Sequence, residues 1–578
     1  MARLRAALPW LVLGLLGAWI AVLLVPLDLN LTDGGFLLAQ SDRLLDGEIP
    51  HVDFLSPRPA GSAVVHLVDF ALPLPLFLAS RLVSIAEVVA YSALLGLLVF
   101  DRPLRGVSVA GLAGICAAAL VNFQVFPPFA WHTIDGLLFS AAGLLAIERG
   151  LRSGRAGLVL GGAAAAGAAV VMKQSFFLVP VVALGRLAFS TIRAPERSLR
   201  DLVAPAAAMA APGLLYLGVI TAAGGLDQLW EQVAGADAVY GRGLFDVLVD
   251  DPGRTLIVLA AAALLLALIH ARPLAARGRW HVALDAGARA GLTALVLVVA
   301  LGDRFALGDA WAIRVFWLAV LTLIACSWRR RSVDYPGLVV VALGWMAALS
   351  YGVPTPAFAA GSLALYVIAR AWDGFESPAG ARRMAPNALT AGALACAAIT
   401  AFVFWDVRST AVYLQARDES VLTAELDSVA PALNGIRADP ATAAYLRDVK
   451  GCVDRYPARW TAVIPEDAVS RLAFDLESPF PLDWLWPPEY RGDGRQRLVD
   501  AARALDRRDD WLVLFQTVPA GTIQGAVPPD LPQAKPGQEP PPFPFDPSLA
   551  RQIRRPLHGE RVACGSLVGV YRPASFSG

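Results

Sequence analysis

Long apolar runs alternate with short polar connections from Leu8 to Trp405, and the alternation stops at Asp406. Runs of roughly 15–22 residues predict about thirteen candidate membrane spans. They fall at 8–27, 83–100, 106–122, 136–148, 156–172, 176–190, 202–224, 255–271, 290–302, 311–327, 336–350, 356–370 and 388–405. The run from Ala60 to Leu78 is broken by His66, Asp69, Pro73 and Pro75, so it either lies along the interface or joins the second span. The first run follows Arg3 and Arg5 but is too long for a signal-peptide core and lacks a small-residue cleavage site, which predicts a retained span.

Beyond Asp406 the period changes. Strand-like alternation appears at Trp460–Ile464, Trp511–Phe515 and Leu567–Tyr571, with helical patterns at Ala441–Val449 and Gln496–Leu505 between them. The expected architecture is an all-α polytopic membrane domain over 1–405 and a C-terminal α/β extracytoplasmic domain over 406–578, about 170 residues and enough for its own core. Within the latter, 518–547 is rich in Pro and Gly and reads as an extended excursion without packed structure. No internal repeat is visible.

Composition agrees: 56% of residues are hydrophobic and 17% charged, too apolar for an ordinary soluble chain of 578 residues. A net charge of +1 with no basic stripe excludes nucleic acid as a partner. The arginines report topology instead. Arg102, Arg105, Arg149, Arg152, Arg155, Arg193, Arg197, Arg200, Arg272, Arg277, Arg279, Arg329 to Arg331, Arg370, Arg382 and Arg383 all fall on one set of alternate connections. The other set carries mainly Arg43, Arg58, Lys173, Arg242 and Arg304, a bias of roughly three to one that makes the N-terminus cytoplasmic. An odd number of spans then puts the 28–61 connection and the C-terminal domain together outside. Cys116, Cys326 and Cys396 sit in apolar runs; Cys452 and Cys564 lie in the C-terminal domain, either bonded or as separate buried thiols. No cysteine has metal-ligand spacing.

Candidate chemistry gathers on the outer side. Asp33 follows the first span closely and precedes Gly34 and Gly35; it is either a base for an incoming hydroxyl or, with Thr32, a cap for a helix over Gly35–Leu45. Asp53 offers a substrate contact or an ion pair with Arg58, and Arg58 itself has the donor fork that suits phosphate. His132 and Asp135 share a face if a helix starts there, giving a polar cluster, with Asp135 or Thr133 as a simple helix cap the alternative. Lys173 ends a span against the positive-inside bias and either meets a lipid-linked phosphate or snorkels to the interface. Arg304 and Arg242 are further phosphate candidates. Trp484, Trp486 and Tyr490, with Asp483 and Glu489, form either a carbohydrate platform or a surface that docks the domain onto the membrane half.

The segment TDGGFLLAQSDRLLDGEIPHVDFLSPRPAG (Thr32 to Gly61), supported by SRLVS at Ser80 to Ser84 and VMKQSFF at Val171 to Phe177, resembles the GT-C superfamily of polyprenyl-phosphate-sugar-dependent glycosyltransferases. The nearest likeness is to the protein mannosyltransferase and lipid A aminoarabinose transferase group, glycosyltransferase family 39. Its detail covers Leu8 to Phe177; an acidic pair of the family is replaced by Asp33-Gly34 and a tyrosine by His51. The resemblance implies an enzyme with Asp33 as the catalytic base. It implies Arg58 and Lys173 on the donor-phosphate side and His132 and Asp135 in a second-loop cluster at the substrate; by residue type alone, Arg304 is a further phosphate candidate and His51 and Asp53 are further substrate candidates. The donor would be a polyprenyl-phosphate-linked sugar and the acceptor a glycan, lipid or protein outside a bacterial-type plasma membrane. One firm carboxylate gives no expectation of a metal or other cofactor. A lipid or polysaccharide transporter and a non-catalytic membrane scaffold are the rival readings.

Overall fold

Backbone in hydrocarbon has to satisfy its own N–H and C=O groups, so the apolar runs fold as helices. The computed structural model describes residues 2–124, 127–193, 198–234, 242–270, 279–302, 310–349, 355–373, 375, 385–410, 418–525, 527, 529–535 and 537–574. Up to residue 234 the helices are α1 (Ala2–Leu24), α2 (Asp33–Leu45), α3 (Gly61–Val65), α4 (Leu67–Ala71), α5 (Leu76–Phe100), α6 (Val109–Asn122), α7 (His132–Ser153), α8 (Ala156–Met172), α9 (Leu178–Arg193), α10 (Val203–Ala222) and α11 (Leu226–Ala234). There follow α12 (Arg242–Asp250), α13 (Pro252–His270), α14 (Arg279–Gly302), α15 (Ala310–Arg330), α16 (Tyr335–Ala347), α17 (Ala357–Trp372) and α18 (Ala385–Thr410).

Among the described residues 8 stretches are long and apolar enough to cross a membrane: Ala7–Leu24, Leu76–Phe100, Gln174–Arg193, Arg200–Ala222, Pro252–His270, Ala283–Leu301, Ala310–Arg330 and Asn387–Thr410. The chain is therefore a multi-pass membrane protein. That is fewer than the sequence pattern predicts, for two reasons. α6, α8, α16 and α17 are apolar but shorter. α7 carries Asp135, Glu148, Arg149 and Arg152 in its length. The broken run at 60–78 resolves into α3 and α4, hinged at His66, and α5 begins separately at Leu76. The Ala- and Gly-rich α8 lets α7 and α10 pack closely against it, while α6 packs on α17 and α18.

The strands lie at the C-terminal end. β1 (Ala424–Glu425) pairs with β2 (Arg437–Ala438), and β3 (Trp460–Ile464), β4 (Trp511–Gln516), β5 (Glu560–Cys564) and β6 (Leu567–Arg572) form a sheet in the order β3-β4-β6-β5. β3 and β4 are parallel with Trp460 opposite Trp511; β6 runs antiparallel to both β4 and β5. A parallel pair needs a crossover, and α20 (Val469–Ala473) and α21 (Gly494–Asp506) occupy it, after α19 (Pro440–Arg455). All six residues of β4 are buried, as expected of a strand covered on both faces. Cys452 on α19 is bonded to Cys564 at the end of β5.

The 518–547 stretch departs from its expected form. It holds α22 (Ala520–Ile523) and is pinned at separate points: Gln524 and Phe543 are buried, and the Ala534 N–H donates to the Gly565 carbonyl at 2.7 Å. Proline removes donors there, so side chains and a few backbone bonds hold it instead of a ladder.

The main surprise is where the 28–61 connection sits. Leu29, Leu31, Leu37 and Leu38 share one buried cluster with Leu433, Leu446, Val469 and Leu512, and Phe36 and Leu55 share another with Trp484 and Trp511. The connection is thus built into the hydrophobic core of the C-terminal part.

Candidate functional site

The site grows from the N-terminus of α2. Asn30 Oδ1 accepts from the Thr32 N–H (3.1 Å), the Thr32 hydroxyl (3.0 Å) and the Gly34 N–H (3.2 Å), taking the capping role expected of Thr32 or Asp33. Asp33 is the first helical residue and is half-buried. The strand of chain before it is gripped by the C-terminal part: the Leu31 N–H donates to Gln524 Oε1 (3.1 Å) and the Leu31 carbonyl accepts from the Ala468 N–H (2.9 Å). Gly35 lies so close that a Cβ there would stand 2.5 Å from the Ala468 carbonyl oxygen.

After α2 the chain turns at His51, whose φ of 67° is unusual for a residue with a side chain. Both ring nitrogens are occupied, Nδ1 by Gln232 Oε1 at 3.1 Å and Nε2 by the Tyr216 hydroxyl at 2.6 Å. Arg497 donates to the carbonyls of His51 (2.6 Å) and Val52 (2.5 Å). Burial pushes the imidazole down to about 4, so it is neutral. His51 is therefore a lock between this turn, α10 and α11, where a substrate contact is expected. Asp53 is exposed, and its Oδ2 accepts from the Ile49 N–H at 2.7 Å within the same turn. The expected Asp53–Arg58 pair is absent. Arg58 instead makes a two-pronged pair with Glu489, because the Phe480–Tyr490 segment folds back onto this turn.

That segment docks rather than standing open. Asp483 pairs with Arg43 at 3.1 Å, Trp484 meets Phe36 edge-on with ring centroids 5.6 Å apart, and Trp486 stacks on Trp484. Its aromatic residues pack on α2 of the 28–61 connection rather than forming an open platform.

A second group of side chains lies where α3 presses on the end of α8: a Cβ on Gly61 would stand 2.5 Å from the Val171 carbonyl oxygen. Next to it Lys173 is buried and donates from Nζ to Thr133 Oγ1 at 2.8 Å, so it does not snorkel. Burial first, then the Arg58 charge, push its ammonium down to about 7. Arg58, Lys173 and His66 all act electrostatically on His132, which opens α7 and whose Nε2 has no hydrogen-bond partner. One turn along α7 is Asp135, fully buried. His66, at the α3/α4 hinge, bonds through Nδ1 to Asp69 Oδ2 (2.8 Å) and turns Nε2 toward Asp135 Oδ1 (3.4 Å) and Glu87 Oε2 (4.0 Å). Among the described residues, His66, Glu87 and Asp135 are the group spaced to hold a metal ion.

A further cationic spot lies at the end of α1. Arg81 donates to the carbonyls of Val25, Leu27 and Asp28, and beside it the buried Arg408 has Nε and Nη2 without hydrogen-bond partners. Asp28, Asn30, Arg81 and Arg408 line one small cavity with Pro127, Pro128 and Phe129.

The structure thus brings together Arg58, Lys173, His132 and Asp135 and leaves His51 and Asp53 outside that group. Asp33 opens α2, and Ser41, whose hydroxyl donates to the Ala63 carbonyl of α3 at 2.9 Å, lies eight residues on. At 1.5 Å rise per residue that separates them by about 12 Å along the helix. Arg304 lies outside the described residues, as does the side chain of Arg242. Sequence reasoning missed Glu87, Asp69, His66 and Arg408 as functional candidates. Glu87 carried a usable signal, a lone carboxylate inside an apolar run. So did His66 and Asp69, whose i, i+3 spacing lets one side chain orient the other. The chain matches no protein-family model and no curated protein.

Proposed function

We propose that the chain is a membrane glycosyltransferase of GT-C-like architecture, moving a sugar from a polyprenyl-phosphate donor to a glycan, lipid or protein acceptor outside a bacterial-type plasma membrane. The observation that carries this reading is the placement of the 28–61 stretch, the same residues that bear the family resemblance. It is packed into the core of the C-terminal part and against the end of α8, with Asp33 at the head of α2 and Arg58, near Lys173, further along the same stretch.

In this reading the acceptor hydroxyl gives its proton to the Asp33 carboxylate as its oxygen bonds to the anomeric carbon. The bond from that carbon to the phosphate oxygen breaks on the opposite face, so the configuration inverts. Cationic groups stabilise the departing polyprenyl phosphate. Arg58 is engaged by Glu489, which leaves Lys173, held only to Thr133 by the hydrogen bond from its Nζ, as the better-placed cation. The α6, α7, α8, α16 and α17 helices complete about thirteen crossings with the longer stretches, the N-terminus being cytoplasmic. A Cys452–Cys564 disulfide supports an oxidising, extracytoplasmic side for the C-terminal part.

The test is incubation of membranes containing the chain with labelled polyprenyl-phosphate sugars. Label should appear in an acceptor with wild type and not with Asp33→Asn, at equal membrane level and equal elution on gel filtration. Transfer near the wild-type rate by Asp33→Asn overturns the assignment, and lipid movement across the bilayer without transfer favours a transporter.

A further inference from the structure

We propose that His66, Glu87 and Asp135 form a binding site for a divalent cation of the zinc or manganese class, tying the α3/α4 hinge to α5 and α7. The inference is independent of glycosyl transfer.

Three observations converge. The first is orientation. The 2.8 Å bond from His66 Nδ1 to Asp69 Oδ2 sets the ring, so Nε2 faces the other two carboxylates; a carboxylate behind a histidine is the usual second layer of a metal ligand. The second is spacing. Donor atoms from the three residues all lie within 4.8 Å of one another, with Nε2 at 3.4 Å from Asp135 Oδ1 and 4.0 Å from Glu87 Oε2. Ligands about 2.1 Å from a metal stand about 3.4 Å apart at a tetrahedral edge, so the separations suit a shared ion. They are long for hydrogen bonds.

The third is the state of the oxygens. Asp135 Oδ1 and Oδ2, Glu87 Oε2 and His66 Nε2 have no hydrogen-bond partner, and all three side chains are more than nine-tenths buried. Buried carboxylate oxygens without a hydrogen bond are expensive. Asp69, Glu87 and Asp135 face one imidazole, and a divalent cation set between them gives the lone oxygens a partner. One imidazole and two carboxylates is a ligand set that selects zinc or manganese over calcium.

The experiment uses full-length, tag-free protein in detergent, stripped with chelator and reloaded with zinc, manganese or calcium chloride. Bound metal is measured by mass spectrometry after desalting, alongside thermal unfolding. About one equivalent of zinc or manganese should remain on wild type and raise its unfolding temperature. The isosteric double variant Glu87→Gln/Asp135→Asn should retain none, and Asp69→Asn should bind at least tenfold more weakly. A second measurement needs no variant: manganese-loaded wild type should show the electron-spin-echo modulation of a coordinated imidazole nitrogen. Wild-type retention no greater than that of the double variant, or a manganese signal without nitrogen coupling, overturns the proposal.

Discussion

Arg58 and Glu489 meet in a two-pronged ion pair, Nη1 to Oε2 and Nη2 to Oε1, both at 3.0 Å, across 431 positions of sequence. The Glu489 side chain is 1% exposed and Arg58 12%. Removing one partner of a buried pair leaves the other charge uncompensated. Glu489→Ala should therefore cost about 3–5 kcal/mol, read as a lower unfolding temperature and faster proteolysis of the C-terminal part. Replacing both, as Arg58→Met/Glu489→Leu, should recover most of that loss.

Gly34 and Gly35 are adjacent in sequence but stand in different surroundings. A Cβ at Gly35 would lie 2.5 Å from the Ala468 carbonyl oxygen, a backbone atom that cannot rotate away, whereas at Gly34 the nearest atom is Asn30 Cβ at 3.4 Å. Gly35→Ala should loosen the grip of the C-terminal part on α2, exposing the 28–61 stretch to protease. Gly34→Ala should behave like wild type, since alanine also favours helix.

His51 sets a pH dependence. Its folded value of about 4 lies below the ordinary 6.5 because burial disfavours the imidazolium. Between these values the unfolded chain binds more protons than the folded one, so stability is full above about pH 6.5 and is lost as pH falls toward 4. Thermal melts across that window should show the decline. His51→Phe should flatten it while melting lower throughout, since Gln232 and Tyr216 lose their partner.

The Cys452–Cys564 bond closes a loop with a sequence separation of 112 residues. On chain-entropy grounds such a closure is worth about 4–5 kcal/mol. Cys452→Ser should lower the stability of the C-terminal part by that order, and reductant should do the same to wild type while leaving Cys452→Ser unchanged.

Sequence alone determined what depends on local pattern. Apolar runs became helices because lipid leaves the backbone no other partner, the α2 helix began and ended within two residues of its expected place, and three alternating runs became β3, β4 and β6. Span length was less legible, since charges inside α7 and the shortness of α6, α8, α16 and α17 blur the boundary between crossing and buried helix. What tertiary structure decided was who meets whom. Arg58 finds Glu489 rather than Asp53, His51 finds Tyr216 and Gln232, and Glu87 and Asp135 converge on His66 from separate helices. A charged side chain's partner is set by distances through space between elements far apart in sequence. No period or spacing within one element carries that information, so the residue types pointed to the neighbourhood and packing chose the pairs.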